Sequence, residues 1–310
     1  MKVTHSCPAK VNLFLEVVGK RPDGYHEIAT LFAKISWCDI LTVEAQPADA
    51  TDISLTITGP TGKFLRANER NLVYRAARGF LEHFSLNAQL TMSLDKRIPL
   101  GAGLGGGSSD AAHTLLALCE IFGKDKNELF PLAAQIGADV PLFMLEDTFL
   151  RGEGIGEKLT PVASHGDLPY LVLVYPNMFI PTKEIFSGLQ LPDPASVKEN
   201  LSKLEQLQSH LYCGNPLSSW KQLLFNRLEE RVFPSARTVQ DVALDLQQAG
   251  AEAVLMSGSG STVFALVKNK QQARELADKI RGKGRTVFCT PFYRNSQRRF
   301  LNSSLHQGQN

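Results

Sequence analysis

Between Pro99 and Leu116 the chain reads PLGAGLGGGSSDAAHTLL, with five glycines (Gly101, Gly103, Gly105, Gly106 and Gly107) inside seven positions. No other stretch constrains the fold as much. Glycine loses more backbone freedom on folding than any other residue, roughly 0.5–1 kcal/mol each relative to alanine. Five together therefore mark backbone that must turn left-handed or approach something closely. A plain turn capped by Ser108 or Ser109 would need one or two. Apolar Ala111, Ala112, Leu115, Leu116, Cys119 and Phe122 then recur at three- and four-residue steps, which predicts a helix from about Ser108 to Phe122. Glycine-rich backbone feeding a helix N-terminus aims unpaired amides and the positive end of the helix dipole at one place, an arrangement suited to a polyphosphate.

Two familiar phosphate motifs nearly fit. Residues 101–106 satisfy G-x-G-x-x-G, but Lys96-Arg97-Ile98-Pro99 intervenes where a dinucleotide turn needs a strand running straight into the glycines. The pattern G-x-x-x-x-G-K-[ST] fits from Gly101 to Ser108 except that Gly107 stands where the lysine belongs. Positive charge must then come from elsewhere in the chain.

Two short segments offer a cation and, for general acid–base work, a carboxylate. In CPAKVNLFLEV, Lys10 and Asn12 lie two apart, so in a strand they share one face while Val11, Leu13 and Leu15 share the other. In QIGADVPLFML a helix ends near Ile136-Gly137, and Pro141 forces Val140 from helical angles, leaving Asp139 in a kink between apolar segments. A solvated strand face and a turn residue are the plain alternatives for these two places. Farther along, KRPDGYHEIATLF has a Pro-Asp-Gly turn followed by Tyr25 and His26, adjacent and so facing opposite sides of an extended chain.

Along the chain, strand patterns fill the first third, interrupted by a helix from about Asn71 to Phe84, and a further helix is expected near Lys126 to Ile136. From Leu168 the pattern restarts with LPYLVLVYP, then a Pro-rich polar passage into helical segments. The order helix (Ala236–Ala249), strand (Glu252–Met256), strand (Ser261–Val267), helix (Gln271–Arg281), strand (Thr286–Pro291) predicts a ferredoxin-like half. The tail from residue 294 to 310 lacks apolar periodicity. With 33 basic and 31 acidic residues the net charge is +2, which leaves no electrostatic footprint for nucleic acid or an anionic membrane. Five scattered cysteines without a C-x-x-C pair suggest neither zinc nor a disulfide framework, and with no signal-type apolar block at the start the expected compartment is the cytoplasm.

The segments PAKVNLFLEV, PLGAGLGGGSSDAA, GADVPLF and MSGSGSTVFAL, in this order over roughly residues 1–290, resemble the GHMP small-molecule kinase superfamily. The first three, with RPDGYHEI, resemble its branch acting on a cytidine-diphosphate-linked methylerythritol. The resemblance implies an α+β fold of two domains: a ribosomal-protein-like ATP-binding domain over residues 1–165 and a ferredoxin-like domain over residues 166–293. The cleft between them would transfer phosphate from ATP, with Mg²⁺ expected and no protein ligand for it evident. It implies Asp139 as base and Lys10 as its electrostatic partner. The phosphates of ATP would lie along Pro99, Leu100, Gly101, Ala102, Gly103, Leu104, Gly105, Gly106, Gly107, Ser108 and Ser109, and its adenine near Asn71, Leu72 and Lys96. Asn12, Tyr25, His26, Thr182 and Phe186 would hold the acceptor, and Gly258, Ser259 and Gly260 would shape the phosphate end of the cleft. The partner implied is a small molecule carrying cytidine diphosphate, bound by a monomer or weak homodimer. A kinase of another small alcohol and a non-catalytic nucleotide binder are the competing readings. A base beside a cation separates the kinase from the binder; the Tyr25, His26 and Phe186 set separates it from its siblings.

Overall fold

The computed structural model describes residues 1–282 and 284–294, so the expectation of an unpatterned tail lies, from residue 295, outside the described residues. A long hairpin forms the spine. Strands β1 (Lys2–Lys20) and β2 (His26–Pro47) pair antiparallel, with the register shifting at Pro8/Ala9, Asn12/Phe14 and Val17/Gly19. β3 (Asp52–Thr58), helix α1 (Leu72–His83) and β4 (Ala88–Asp95) follow, β3 and β4 lying parallel as a strand–helix–strand crossover requires. α1 starts where Asn71 caps it, its Oδ1 accepting the Val73 amide at 2.9 Å, and it buries Val73, Ala76, Ala77, Phe80 and Leu81 on one stripe.

The glycine loop leads into α2 (Gly106–Phe122), then α3 (Phe130–Ile136), α4 (Val140–Met144), β5 (Phe149–Glu153) and β6 (Lys158–Val162). α2 begins two residues before the expected Ser108, so Gly106 and Gly107 belong to its first turn. The helix expected over Lys126–Ile136 splits into a 3₁₀ turn (Lys126–Leu129) and α3, with Pro131 in the first turn of α3.

The second half contains β7 (Tyr170–Tyr175), α5 (Thr182–Ser187), α6 (Pro194–Cys213), β8 (Phe225–Asn226), α7 (Glu229–Ser235), α8 (Arg237–Gln248), β9 (Ala253–Met256), β10 (Val263–Val267), α9 (Lys270–Ile280) and β11 (Thr286–Pro291). Its sheet runs β11-β7-β10-β9, all neighbours antiparallel, the ferredoxin-like order expected from the alternating strands and helices. The first sheet runs β3-β4-β2-β1-β8, with β5 on β2 and β6 on β5. Two residues of the second half thus extend the first sheet: Phe14 pairs with Phe225 and Leu15 with Asn226. Arg227 secures this junction, since its guanidinium donates twice to the fully buried Glu16 at 2.8 and 2.7 Å, and Asn200 of α6 donates to the same carboxylate at 2.7 Å.

β1 is therefore covered on both sides. Cys7 through Val17 are all buried, Val11, Leu13 and Phe14 in a core shared with α6 and the second sheet, and Leu15 and Val17 in a core under α7, α8 and α9. A fully buried apolar side chain contributes about 1.5–3 kcal/mol, so these strand residues weld the halves together. The solvated strand face considered for Lys10 and Asn12 does not occur: they are 5% and 1% exposed.

Candidate active site

The loop before α2 alternates. Gly101, Gly103 and Gly105 take φ of +60°, +75° and +68°, while Ala102 and Leu104 between them point into the core. Left-handed angles there exclude side chains, and so do the neighbours. A Cβ on Gly101 would lie 2.2 Å from the Phe179 ring, one on Gly103 2.2 Å from the Ser257 carbonyl, and one on Gly105 3.1 Å from Cγ of Lys10. Hydrogen bonds hold the same approach: the Ser257 hydroxyl donates to the Gly103 carbonyl at 3.0 Å, the Thr262 amide to the Ala102 carbonyl at 3.3 Å, and the Lys10 amide to the Leu104 carbonyl at 2.9 Å. The loop is thus clamped between β1 and the turn joining β9 to β10. Gly107 differs: it is exposed, and a Cβ there would meet only a Leu72 methyl, at 3.6 Å. The first helical bond of α2 runs from the Ser109 amide to the Gly105 carbonyl at 3.0 Å, which leaves the amides of Gly106, Gly107 and Ser108 unpaired within the helix.

Lys10 stands beside this loop. Its ammonium donates to Asn12 Oδ1 at 2.9 Å and faces Asp139 Oδ2 at 4.0 Å. The Asn12 amide group donates to Thr30 Oγ1 at 2.8 Å, and Thr30 in turn to the Phe14 carbonyl at 2.6 Å. That relay fixes which end of the Asn12 side chain meets Lys10, and it exists because Leu13 is the extra residue at the register shift. Burial pulls the Lys10 ammonium below its ordinary pKa, opposed by Asp139. Asp139 precedes α4, yet its carboxylate makes no capping bond, and its side chain is 34% exposed. An acidic group next to a desolvated cation and open to solvent is placed to take a proton from an incoming molecule. A Cβ on Gly258 would come within 3.3 Å of the Lys10 nitrogen and 3.4 Å of Asn12 Oδ1. Asn226 holds that turn by donating to the carbonyls of Met256 and Gly258, both at 2.8 Å.

Tyr25, just before β2, and His26, its first residue, diverge: Tyr25 is 61% exposed, His26 8%. The His26 ring lies 5.4 Å from that of Phe186, tilted by 37°. Burial and the nearby Lys20 lower the His26 pKa, so its imidazole is neutral at pH 7 and carries one donor and one acceptor. Thr182 meets Ser259, hydroxyl to hydroxyl, at 2.7 Å. The two chain segments expected around an acceptor are therefore joined to the Gly258 turn.

The residues expected beside an adenine fare differently. Leu72 flanks Gly107 as noted. Asn71 gives its side chain to the α1 cap and to the Arg66 carbonyl at 3.2 Å. Lys96 is a correction: it is 1% exposed and turned into the protein, its ammonium donating to Asp39 and Asp110, its amide to the Thr58 carbonyl, and its carbonyl accepting from Thr61. A side chain so enclosed has no face for a nucleotide. Thr30, Asn226 and Ser257 join the expected residues: Thr30 and Ser257 lie within two of the quoted segments, Asn226 in none, and each acts through partners at least 16 residues away.

The description "GHMP kinases N terminal domain" matches residues 71–147 and "GHMP kinases C terminal" residues 197–286. A protein of Lachnoclostridium phytofermentans named 4-diphosphocytidyl-2-C-methyl-D-erythritol kinase is 36% identical over 290 residues, covering 92% of this chain and 95% of the relative. One of the same name from Thermus thermophilus is 39% identical over 280 residues, covering 90% and 92%. The crystal structure of a 4-(cytidine 5'-diphospho)-2C-methyl-D-erythritol kinase superposes with a TM-score of 0.76 at 34% identity, over 94% of this chain and 100% of that one. With both family regions matched and relatives this similar along nearly its whole length, the chain belongs to the GHMP kinase family.

Proposed function

We propose that the chain transfers the γ-phosphoryl group of ATP to the C2 hydroxyl of 4-diphosphocytidyl-2-C-methyl-D-erythritol, giving the 2-phosphate and ADP, a step of non-mevalonate isoprenoid synthesis. The observation that carries this reading is the Lys10–Asp139 pair at 4.0 Å, set between the glycine loop and the Gly258 turn. Asp139 accepts the hydroxyl proton as the oxygen attacks phosphorus; the bond to the β–γ bridging oxygen breaks, and ADP leaves with that electron pair. Lys10, 4.0 Å from Asp139, meets the negative charge spreading over the transferred group. Because its ammonium is desolvated, it gains more from that charge than an exposed lysine would. The amides of Gly106, Gly107 and Ser108 hold the phosphates from the other side.

Mg²⁺ is expected to accompany ATP. Among the described residues no group of three or more His, Cys, Asp or Glu could hold a metal ion, so those residues offer no ready cage. Mg²⁺ commonly relies on substrate phosphates and water. The reaction draws on the residues of one chain alone, suiting a monomer or weak homodimer, and a cytoplasmic enzyme; among the described residues no helix is long and apolar enough to cross a membrane.

The acceptor's cytosine would stack against Phe186 and the exposed Tyr25 while His26 reads its edge. Stacking is worth about 1–3 kcal/mol per base but tolerates any base, so the choice falls to the imidazole. CDP and CMP are accordingly expected to raise the thermal unfolding temperature, and UMP not to; equal shifts from both bases would remove His26 from that role. The test of the whole reading is ATP consumption with diphosphocytidyl-methylerythritol beside homoserine, mevalonate and galactose. Turnover confined to the first is expected, and preference for any of the others would overturn the assignment.

A further inference from the structure

Asp39, Lys96 and Asp110 meet beneath the glycine loop. All three are buried, and the single ammonium donates to both carboxylates, to Asp110 at 2.6 Å. The second oxygen of Asp39 accepts the amides of Arg97 and Ile98, at 2.5 and 2.8 Å, where the chain enters the loop. Asp110 sits five residues into α2, where the chain has left it. One cation therefore clasps the entry and the exit of the loop to β2. A Cβ on Gly106 would lie 2.9 Å from Lys96 Nζ, so the cluster lies directly under the residue that opens α2. Asp110 Oδ1 is buried without a hydrogen-bond partner. A buried ion cluster is often no more stabilising than apolar side chains of the same volume, so its position under the phosphate-facing amides asks for a reason beyond stability.

Resting on the kinase reading above, we propose that this cluster is a positioning device for the nucleotide: it fixes the mouth of the loop, and the charge on Asp110 sets how tightly the first turn of α2 holds phosphate. The groups facing Asp110 are Lys96 at the loop entry, Asp39 of β2 and Cys7 of β1. Burial lowers Lys96 but the two aspartates outweigh it, so it stays cationic; burial first, then Asp110 and Asp39, push the Cys7 thiol well up, so it stays neutral. Cys38, beside Asp39, is pushed by burial to about 12. Burial raises Asp110 itself to about 8, against the pull of Lys96 and with Asp39 adding to the rise. Below that pH Asp110 is neutral. Above it one negative charge appears under the amides that face the phosphates.

The probe is MgADP, which lacks the γ-phosphoryl group that Lys10 faces, titrated calorimetrically at about pH 6.5 and about pH 9.5. The wild-type Kd is expected to rise about tenfold between the two, the size of effect an unscreened charge nearby produces. In Asp110→Asn the rise should stay under about twofold, since the amide keeps the acceptor oxygen and never ionises. Parallel rises in both proteins, or a flat wild-type profile, would overturn the proposal. The wild-type profile decides alone if the variant does not fold. Loss of the kinase reading would look different: no alcohol turned over, with this pH dependence of ADP binding intact.

Discussion

Asp139→Asn is expected to lower turnover by roughly 10²–10⁴-fold, equivalent to about 3–5 kcal/mol in the barrier, with little change in ATP affinity. An amide of the same shape keeps the geometry but cannot take the hydroxyl proton. The effect belongs in kcat because the carboxylate is needed only as the hydroxyl gives up its proton in the transition state. Stability should hardly move, since the carboxylate makes no capping bond and is one-third exposed. A second signature follows from the pair. Asp139 opposes the burial that lowers the Lys10 pKa, so its neutralisation lets that pKa fall further. Whatever activity remains should therefore fade at a lower alkaline pH than in the wild type. Near-normal turnover in the variant would take Asp139 out of the base role.

The parts of this site visible in the sequence are those whose signal is local. A glycine run feeding a helix, a helix end near Ile136-Gly137, and alternating strands and helices after Leu168 each occupy a short window, and each leads to the element observed; Pro141, by contrast, does not keep Val140 from helical angles but sits in the first turn of α4, where its missing amide costs nothing. Strand alternation puts Lys10 and Asn12 on one face but carries no information on what covers that face; here the second half of the chain does, through β8 and the Gly258 turn. The partners of Lys96 lie 57 and 14 residues away, and Glu16 lies 211 residues from Arg227. Pairings at such separations leave no periodic trace, so a basic residue next to a glycine loop reads as a ligand contact when it is a buried clasp. The hairpin of β5 and β6 is hidden in the sequence because its polar Arg151, Glu153 and Lys158 break the apolar alternation.

The five glycines divide into two kinds, and alanine should tell them apart. At Gly103 the backbone sits at φ +75°, which costs an L-residue roughly 1–2 kcal/mol before any contact is considered. The new methyl would also lie 2.2 Å from the Ser257 carbonyl and 2.8 Å from that of Gly260, two backbone atoms that cannot rotate away. The loop must then part from the β9–β10 turn, breaking the Ser257–Gly103 and Thr262–Ala102 hydrogen bonds and carrying Gly258 from Lys10. Gly103→Ala is expected to cut kcat/KM by more than about 100-fold and to lower the unfolding temperature by at least about 2 °C, as misplacing reacting groups and losing 1 kcal/mol or more would do. Gly107→Ala meets only Leu72 at 3.6 Å, has ordinary helical angles and removes a flexible residue from α2. Its unfolding temperature should hold or rise, since alanine favours a helix by about 1 kcal/mol. Its KM for ATP should nevertheless climb, because the methyl projects where phosphate approaches the exposed amides. If both variants lost stability together, the loop would be a structural turn throughout; if Gly107→Ala kept both stability and ATP affinity, the phosphates would have to bind elsewhere.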